Sequence, residues 1–282
     1  GKPISIDQLS YFLREKVSKT DILRGQLTGS ALAAKLAYQP RSAWGADGVE
    51  PFVECHADGW NTHFRVPHPV TGNFETLEIW HFHELKTRFV TAPAVGKSES
   101  KDVILAGLEN YVRELGVPAI WQTDSTGSVK NKSVEFDPVT SLSARAGITI
   151  LHPVKVGNSQ ANGIAENFNT YLDRCSRELA TYQNPKRMDS LSWKRVGKWT
   201  DAMIKAKKSG DIESAKDAKA MAEQAGKGIV LETFAQFMDW LQSKIDAFND
   251  TPHSTLPKFA DPVTGKRRHM TPRECKDMLI HA

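Results

Sequence analysis

Between residues 52 and 182 the apolar pattern switches repeatedly between alternation and helical spacing, and that succession leaves few folds open. Phe52 to Asp58 and Thr62 to Val66 read as strands. Thr76 to His83 is a third, with Leu77, Ile79 and His81 alternating against Glu78, Trp80 and Phe82. The turn cluster Pro67 to Asn73 predicts an antiparallel hairpin between the second and third strands, and Arg88 to Thr91 prolongs the sheet after a bend. A helix capped by Ser98 or Ser100 then carries Ile104, Leu108, Val112 and Leu115, and stops at Gly116 and Pro118. Ala119 to Thr123 is a short buried strand, followed by a helix near Pro138 to Ala146 and a strand from Ile148 to Leu151. A long helix closes the series, with Ile164, Phe168, Tyr171, Cys175, Leu179 and Tyr182 on one stripe.

Three strands, helix, strand, helix, strand, helix is the order of a ribonuclease H-like α/β fold, a mixed sheet with helices on both faces. The first and fourth strands are neighbours in that fold. Residues 1–50 read as lead-in helices and a linker, and residues 51–282 as the domain itself. Within it, 186–230 forms a basic and polar insertion, and 231–282 a helical C-terminal extension led by the amphipathic stretch Thr233 to Asp250.

Three acidic residues occupy the positions where this order converges. Asp58 and Asp124 each close an apolar strand-like run, and Glu166 lies in the first turns of the long helix, off its apolar stripe. An unpaired charge after a buried strand is costly without a cation. Mg²⁺ is a hard cation, often held by a few carboxylates with substrate phosphate completing its shell. Two such ions about 3.5–4 Å apart clamp the attacking and leaving oxygens of an in-line phosphoryl displacement. Asp58, Asp124 and Glu166 are therefore the candidate catalytic and metal-holding residues, with two Mg²⁺ ions expected and Mn²⁺ as a substitute.

The rest of the composition narrows the setting. No apolar run approaches the roughly 20 residues of a membrane span, and no basic-then-apolar leader opens the chain. Cys55, Cys175 and Cys275 are far apart and unpatterned, which suits a reducing compartment such as the cytoplasm. The net charge of +4 is too mild to identify a nucleic-acid partner. Its distribution says more: from Lys186 to Lys208 eight Lys or Arg face two Asp, with Trp193 and Trp199 interleaved. Lys186, Arg187, Lys194, Arg195 and Lys198 are candidates to follow a DNA backbone, as are Lys130 and Lys155 beside the acidic positions. A solvated face is the competing reading of the same charges.

In these segments the chain resembles the DDE transposases and integrases, most closely the catalytic core of phage Mu-like transposases. The matching runs are His56-Ala57-Asp58-Gly59-Trp60, Leu85-Lys86-Thr87-Arg88, Gln122-Thr123-Asp124-Ser125-Thr126-Gly127 and Ala161-Asn162-Gly163-Ile164-Ala165-Glu166-Asn167-Phe168. Phe248-Asn249, Pro252-His253-Ser254 and Met270-Thr271-Pro272-Arg273-Glu274 are like the end of many integrase-type cores. The acidic spacings are 66 and 42 residues, the second longer than in retroviral integrases and shorter than in Mu transposase. The resemblance implies a polynucleotidyl transferase that cleaves 3′ ends and joins them to target DNA without a covalent intermediate. It also implies double-stranded DNA as partner, a homo-oligomer assembled on DNA, and an ATPase for target capture. A ribonuclease H-like nuclease without strand transfer, and a catalytically silent DNA-binding or assembly module, are the alternatives. A complete acidic triad disfavours the silent module.

Several neighbours carry two readings. His81 and His83 share a strand face, but nothing completes a tetrahedral zinc set, so structural or solvent-facing histidines are expected. His56 lies on the same face as Asp58 and is close enough in sequence to touch the site. Thr123 and Ser125 flank Asp124, without an identifiable base to make either a nucleophile. Asn162, one turn before Glu166, is a candidate for DNA contact, for positioning the helix or for capping it.

Overall fold

The computed structural model describes residues 49–281 apart from 125, 126, 131, 153–161 and 186, so the expected lead-in helices lie outside the described residues. Strand β1 (Glu54–Asn61) is the spine of the main sheet. The chain then forms a small ribbon, β2 (Val66–Pro67) with β3 (Phe74–Glu75), before β4 (Glu78–Glu84) and β5 (Ala94–Gly96). Helix α1 (Lys101–Leu115), strand β6 (Ile120–Thr123), helix α2 (Leu142–Ala146), strand β7 (Thr149–Leu151) and helix α3 (Gly163–Cys175) follow. The sheet order is β5-β4-β1-β6-β7, with β1 antiparallel to β4 and parallel to β6, and β6 parallel to β7. It is a five-stranded mixed sheet flanked by helices, in the order and polarity expected of a ribonuclease H-like fold.

Two expectations about strands are corrected. The expected hairpin is present only as the short antiparallel ribbon of β2 with β3, Val66 opposite Glu75, with the Thr62 N–H bonded to the Leu77 carbonyl at 2.8 Å, whereas β1 runs on through Asp58 to Asn61 and is itself the main partner of β4. Gly59 makes this possible, because a Cβ there would stand 2.9 Å from the Trp80 indole nitrogen and 2.7 Å from Glu78 Oε1. Arg88 to Thr91 contributes only a single bridge between His83 and Val90, and the edge strand is β5. Asn249 secures the bend by accepting from the Val90 N–H at 3.0 Å and donating to its carbonyl at 2.8 Å.

Alternation along the strands sends side chains to two apolar clusters. Cys55, Ala57, Trp80 and Phe82 join Ile104, Leu108 and Tyr111 of α1 on one side. Trp60 and Ile79 join Phe168 and Leu172 of α3 in the other cluster. Phe237, Trp240 and Leu241 of a C-terminal helix, α6 (Phe234–Asn249), belong to that same second cluster, so α6 is part of the core. Ser100 is the cap of α1, accepting from the Val103 N–H at 3.4 Å.

The long helix stops earlier than its apolar stripe predicts. After α3 a single tight turn, Ser176–Glu178, leads to Leu179 in extended backbone, which bridges Ile229 in parallel. The insertion is a helical hairpin, α4 (Ser190–Ser209) and α5 (Ile212–Gly226), with Met203, Ile204, Ala218 and Ala222 in its own apolar cluster. Gly226 closes it, since a Cβ there would run into the Ala180 backbone. A second ribbon, β8 (Lys258–Ala260) with β9 (Arg267–His269), precedes α7 (Pro272–Ile280). Thr271 and Glu274 form a capping box at the start of α7, with Pro in its first turn.

Candidate active site

The parallel pairing of β1 and β6 ends with Ala57 opposite Thr123, so Asp58 and Asp124 come next on neighbouring strands at the same level. Such strands run about 4.8 Å apart. Asp58 is not at a strand end, as the sequence suggested, but inside β1, where β4 still pairs with it through His81. Its side chain lies on the α3 side of the sheet. Helix α3 crosses that side with Glu166 in its first turn.

The electrostatics show that the three carboxylates share one region. Burial pushes the Asp58 carboxyl up to about 7, and the charges of Asp124 and Glu166 add to the shift. The Gly59 N–H and Asn169 partly oppose it. Asp124 is also raised, first by burial and then by Glu166, with His152 pulling the other way. Asp124 Oδ1 is buried without a hydrogen-bond partner. A raised, partnerless carboxylate facing two others is an arrangement that a divalent cation satisfies. Even so, among the described residues no three His, Cys, Asp or Glu side chains stand close enough to hold an ion as they are.

Around them lies a set of polar side chains that the sequence reading passed over. Asn169 donates to Asp58 Oδ2 at 2.8 Å, and the Gly59 N–H donates to Asp58 Oδ1 at 2.9 Å. Asn169 Oδ1 in turn meets His81 Nε2 at 2.7 Å. His152 bonds the Thr123 carbonyl at 3.2 Å and Glu135 at 3.0 Å, bracing the end of β6. The available signal was spacing: Asn162, Glu166, Asn169 and Asp173 recur three or four residues apart on one helix face.

Asn162 is corrected as a DNA-contact candidate. It is buried, its Nδ2 donates to the Ala57 carbonyl at 2.8 Å, and its Oδ1 lies 3.2 Å from His56 Nδ1. It makes no side-chain capping bond, so it ties the start of α3 to β1. His56 is bonded to Glu54 at 2.9 Å as well and is fully used within the core. His81 and His83 are completely buried, which settles them as interior rather than solvent-facing. Thr123 is also fully buried, away from any role as a nucleophile.

The basic candidates divide into groups. Lys155 and Lys186 lie outside the described residues. Arg187 stands 3.5 Å from the buried Asp173 carboxylate, which Tyr182 and Asn184 also hold, so part of its charge serves the fold. Lys194, Arg195 and Lys198 are exposed on α4 with no acidic partner among the described residues, and Lys130 is likewise exposed. Lys194 and Lys198 line a cleft of about 380 Å³ with Asn61, Arg65 and Trp193. Asn61 ends β1 three residues beyond Asp58, so the cleft lies next to the strand that carries the first aspartate. Trp193 is 38% exposed and Trp199 is half-buried against the hairpin cluster.

No protein-family model and no curated protein matches the chain. Among solved structures it is similar to a chain of the simian T-cell lymphotropic virus intasome in complex with PP2A regulatory subunit B56 gamma. That match has 16% identity, 45% of this chain, 41% of that one and a TM-score of 0.35. It is also similar to the HTLV-2 integrase catalytic core domain in complex with magnesium, dimeric form, at 11% identity over 81% of this chain and 98% of that one, TM-score 0.37.

Proposed function

We propose that this chain is the catalytic core of a DNA transposase or integrase that cleaves 3′ ends and transfers them to target DNA. The observation that carries the reading is that Asp124 and Glu166 both act on Asp58, and Glu166 on Asp124, the three being delivered by β1, the end of β6 and the start of α3. Asp58, Asp124 and Glu166 are the groups that would hold divalent metal. Bound there, a pair of Mg²⁺ ions would supply charge stabilisation and an activated oxygen nucleophile.

The chain's own residues set the stage for that chemistry. Pairing on both sides of β1 fixes the backbone at Asp58, while Asn162 fastens the first turn of α3 to the Ala57 carbonyl. Lys194, Arg195 and Lys198 offer a cationic face to a phosphate backbone. The Mu-like relationship, assembly on paired DNA ends and an ATPase partner belong to the same proposal and rest on the matching sequence segments. The test is joining of a pre-cut 3′-hydroxyl DNA end to a target duplex in Mg²⁺. A nuclease without strand transfer gives only shortened strands.

A further inference from the structure

We infer that Asn169, His81 and His83 form a directional hydrogen-bond relay that positions the Asp58 carboxylate; the inference rests on the reading of Asp58 as a metal-holding group. Direction follows from what each atom can do. The Gly59 carbonyl can only accept, and the amide atom 3.3 Å from it must therefore be Asn169 Nδ2. The same Nδ2 donates to Asp58 Oδ2 at 2.8 Å. Asn169 Oδ1 is thereby turned to His81 Nε2, 2.7 Å away, and can only accept from it. His81 Nε2 consequently carries the hydrogen.

His81 is completely buried and, among the described residues, its ring nitrogens meet only the Asn169 amide oxygen and the His83 ring, so no carboxylate there pairs with a second proton; the ring is neutral and Nδ1 is bare. His83 Nε2, 3.0 Å from that nitrogen, must be the donor. Every bond thus donates toward Asp58: His83 to His81, His81 to Asn169, Asn169 to the carboxylate. The relay begins at His83 Nδ1, which is buried with no partner. Two buried imidazoles with an orphan nitrogen are a poor choice for packing alone, since apolar side chains would fill the space without that penalty. Phe168 meets both rings edge-on, with centroids 4.9 and 5.0 Å away, and leaves little freedom to turn. His81 is also the cross-strand partner of Asp58 in the β1–β4 register. The relay gives Asp58 one carboxylate orientation, with Oδ1 tied to its own strand and Oδ2 tied to α3.

The test combines an NMR measurement on the wild-type chain with five variants. Long-range ¹H–¹⁵N correlation should show both His81 and His83 with hydrogen on Nε2, in protein free of metal. His81→Phe and Asn169→Ala should each lower kcat for strand transfer and Mn²⁺ affinity, read by electron paramagnetic resonance, about 10–100-fold. KM for DNA should stay unchanged. The double variant should be no worse than the worse single one, and His81→Gln, whose amide can still donate to Asn169, should recover most of the loss. Hydrogen on His81 Nδ1 instead would overturn the relay, and that reading needs no variant to fold. So would a folded His81→Phe with wild-type kcat and Mn²⁺ affinity while Asp58→Asn is inactive. Full activity in Asp58→Asn would remove the reading of the site itself, and the relay with it.

Discussion

Asp58 and Asp124 emerge side by side from parallel strands, each the residue that follows the last registered pair, Ala57 opposite Thr123. Asp124 and Glu166 oppose the ionisation of Asp58, Glu166 opposes that of Asp124, and both aspartates are partly withdrawn from water. The fold sustains an arrangement that is unfavourable by itself, as is usual where a site is built for a cation.

Metal binding should therefore register as stability. Mg²⁺ at about 100 times its dissociation constant should add about 2.7 kcal/mol. Scanning calorimetry should show the melting temperature rising by roughly 2–4 °C per kcal/mol for a chain of this size. Asp58→Asn should melt higher than wild type without metal, because a buried repelling charge is gone, and should respond little to Mg²⁺. An equal Mg²⁺ response in the variant would show that the ion binds elsewhere.

Gly59→Ala should cost about 1–3 kcal/mol, the range for forcing extra volume into a packed interior. Its Cβ would stand 2.9 Å from the indole nitrogen of the buried Trp80, a ring with little room to retreat, while Glu78 Oε1, 2.7 Å away, ends a flexible side chain that can swing aside. Urea unfolding reports the loss. Activity should fall beyond what stability explains, because Asp58 Oδ1 takes its hydrogen bond from the Gly59 N–H.

The three acidic positions stand out in the sequence because each interrupts an apolar pattern: Asp124 after Ala119 to Thr123, Glu166 off the stripe of Ile164 and Phe168. The strand pairing around Asp58 does not. Reading β1 as ending at Asp58 follows from the Asp-Gly pair, which usually signals a turn, whereas Gly59 serves to admit Trp80 across the sheet. Leu179 and Tyr182 sit on the helical stripe, yet the chain leaves the helix at Leu179 to bridge Ile229, a long-range contact that periodicity cannot report. Asn169 was overlooked because an amide on a helix face has no signature until the strand opposite it is known.

Changing Lys194, Arg195 and Lys198 together to Ala should weaken binding to specific and random duplexes alike. Titration across salt concentrations should show the slope of log K against log salt shrinking by about 0.9 per lost phosphate contact. Catalysis at saturating DNA should survive. An unchanged slope would mark α4 as a solvated face and send the DNA path toward Lys130.

Acid should loosen the C-terminal ribbon and α7 before the sheet. Arg268 bonds Asp261 and Glu274, lowering Asp261 below the usual carboxylate range and Glu274 from 4.5 to about 2. Depressed folded values mean that this stabilisation is present above pH 4.5 and is lost as pH falls toward 2. Hydrogen exchange of residues 258–280, corrected for the slower intrinsic rate in acid, should accelerate over that interval. In Arg268→Ala it should already be fast at neutral pH and change little with acid; a full acid response in that variant would assign the transition to other groups.

The most direct measurement is strand transfer of a pre-cut 3′-hydroxyl DNA end into a target duplex, with wild type beside Asp58→Asn, Asp124→Asn and Glu166→Gln. Wild type in Mg²⁺ or Mn²⁺ should yield joined products, with none in excess EDTA. Each variant should lose at least ~10³ in rate, since the carboxylates hold the ions that stabilise charge and activate the nucleophile. Circular dichroism and duplex binding of the variants should match wild type. Joining in EDTA, or near-normal rates in any one of the three variants, would contradict the proposed site; cleavage without joining would identify a nuclease.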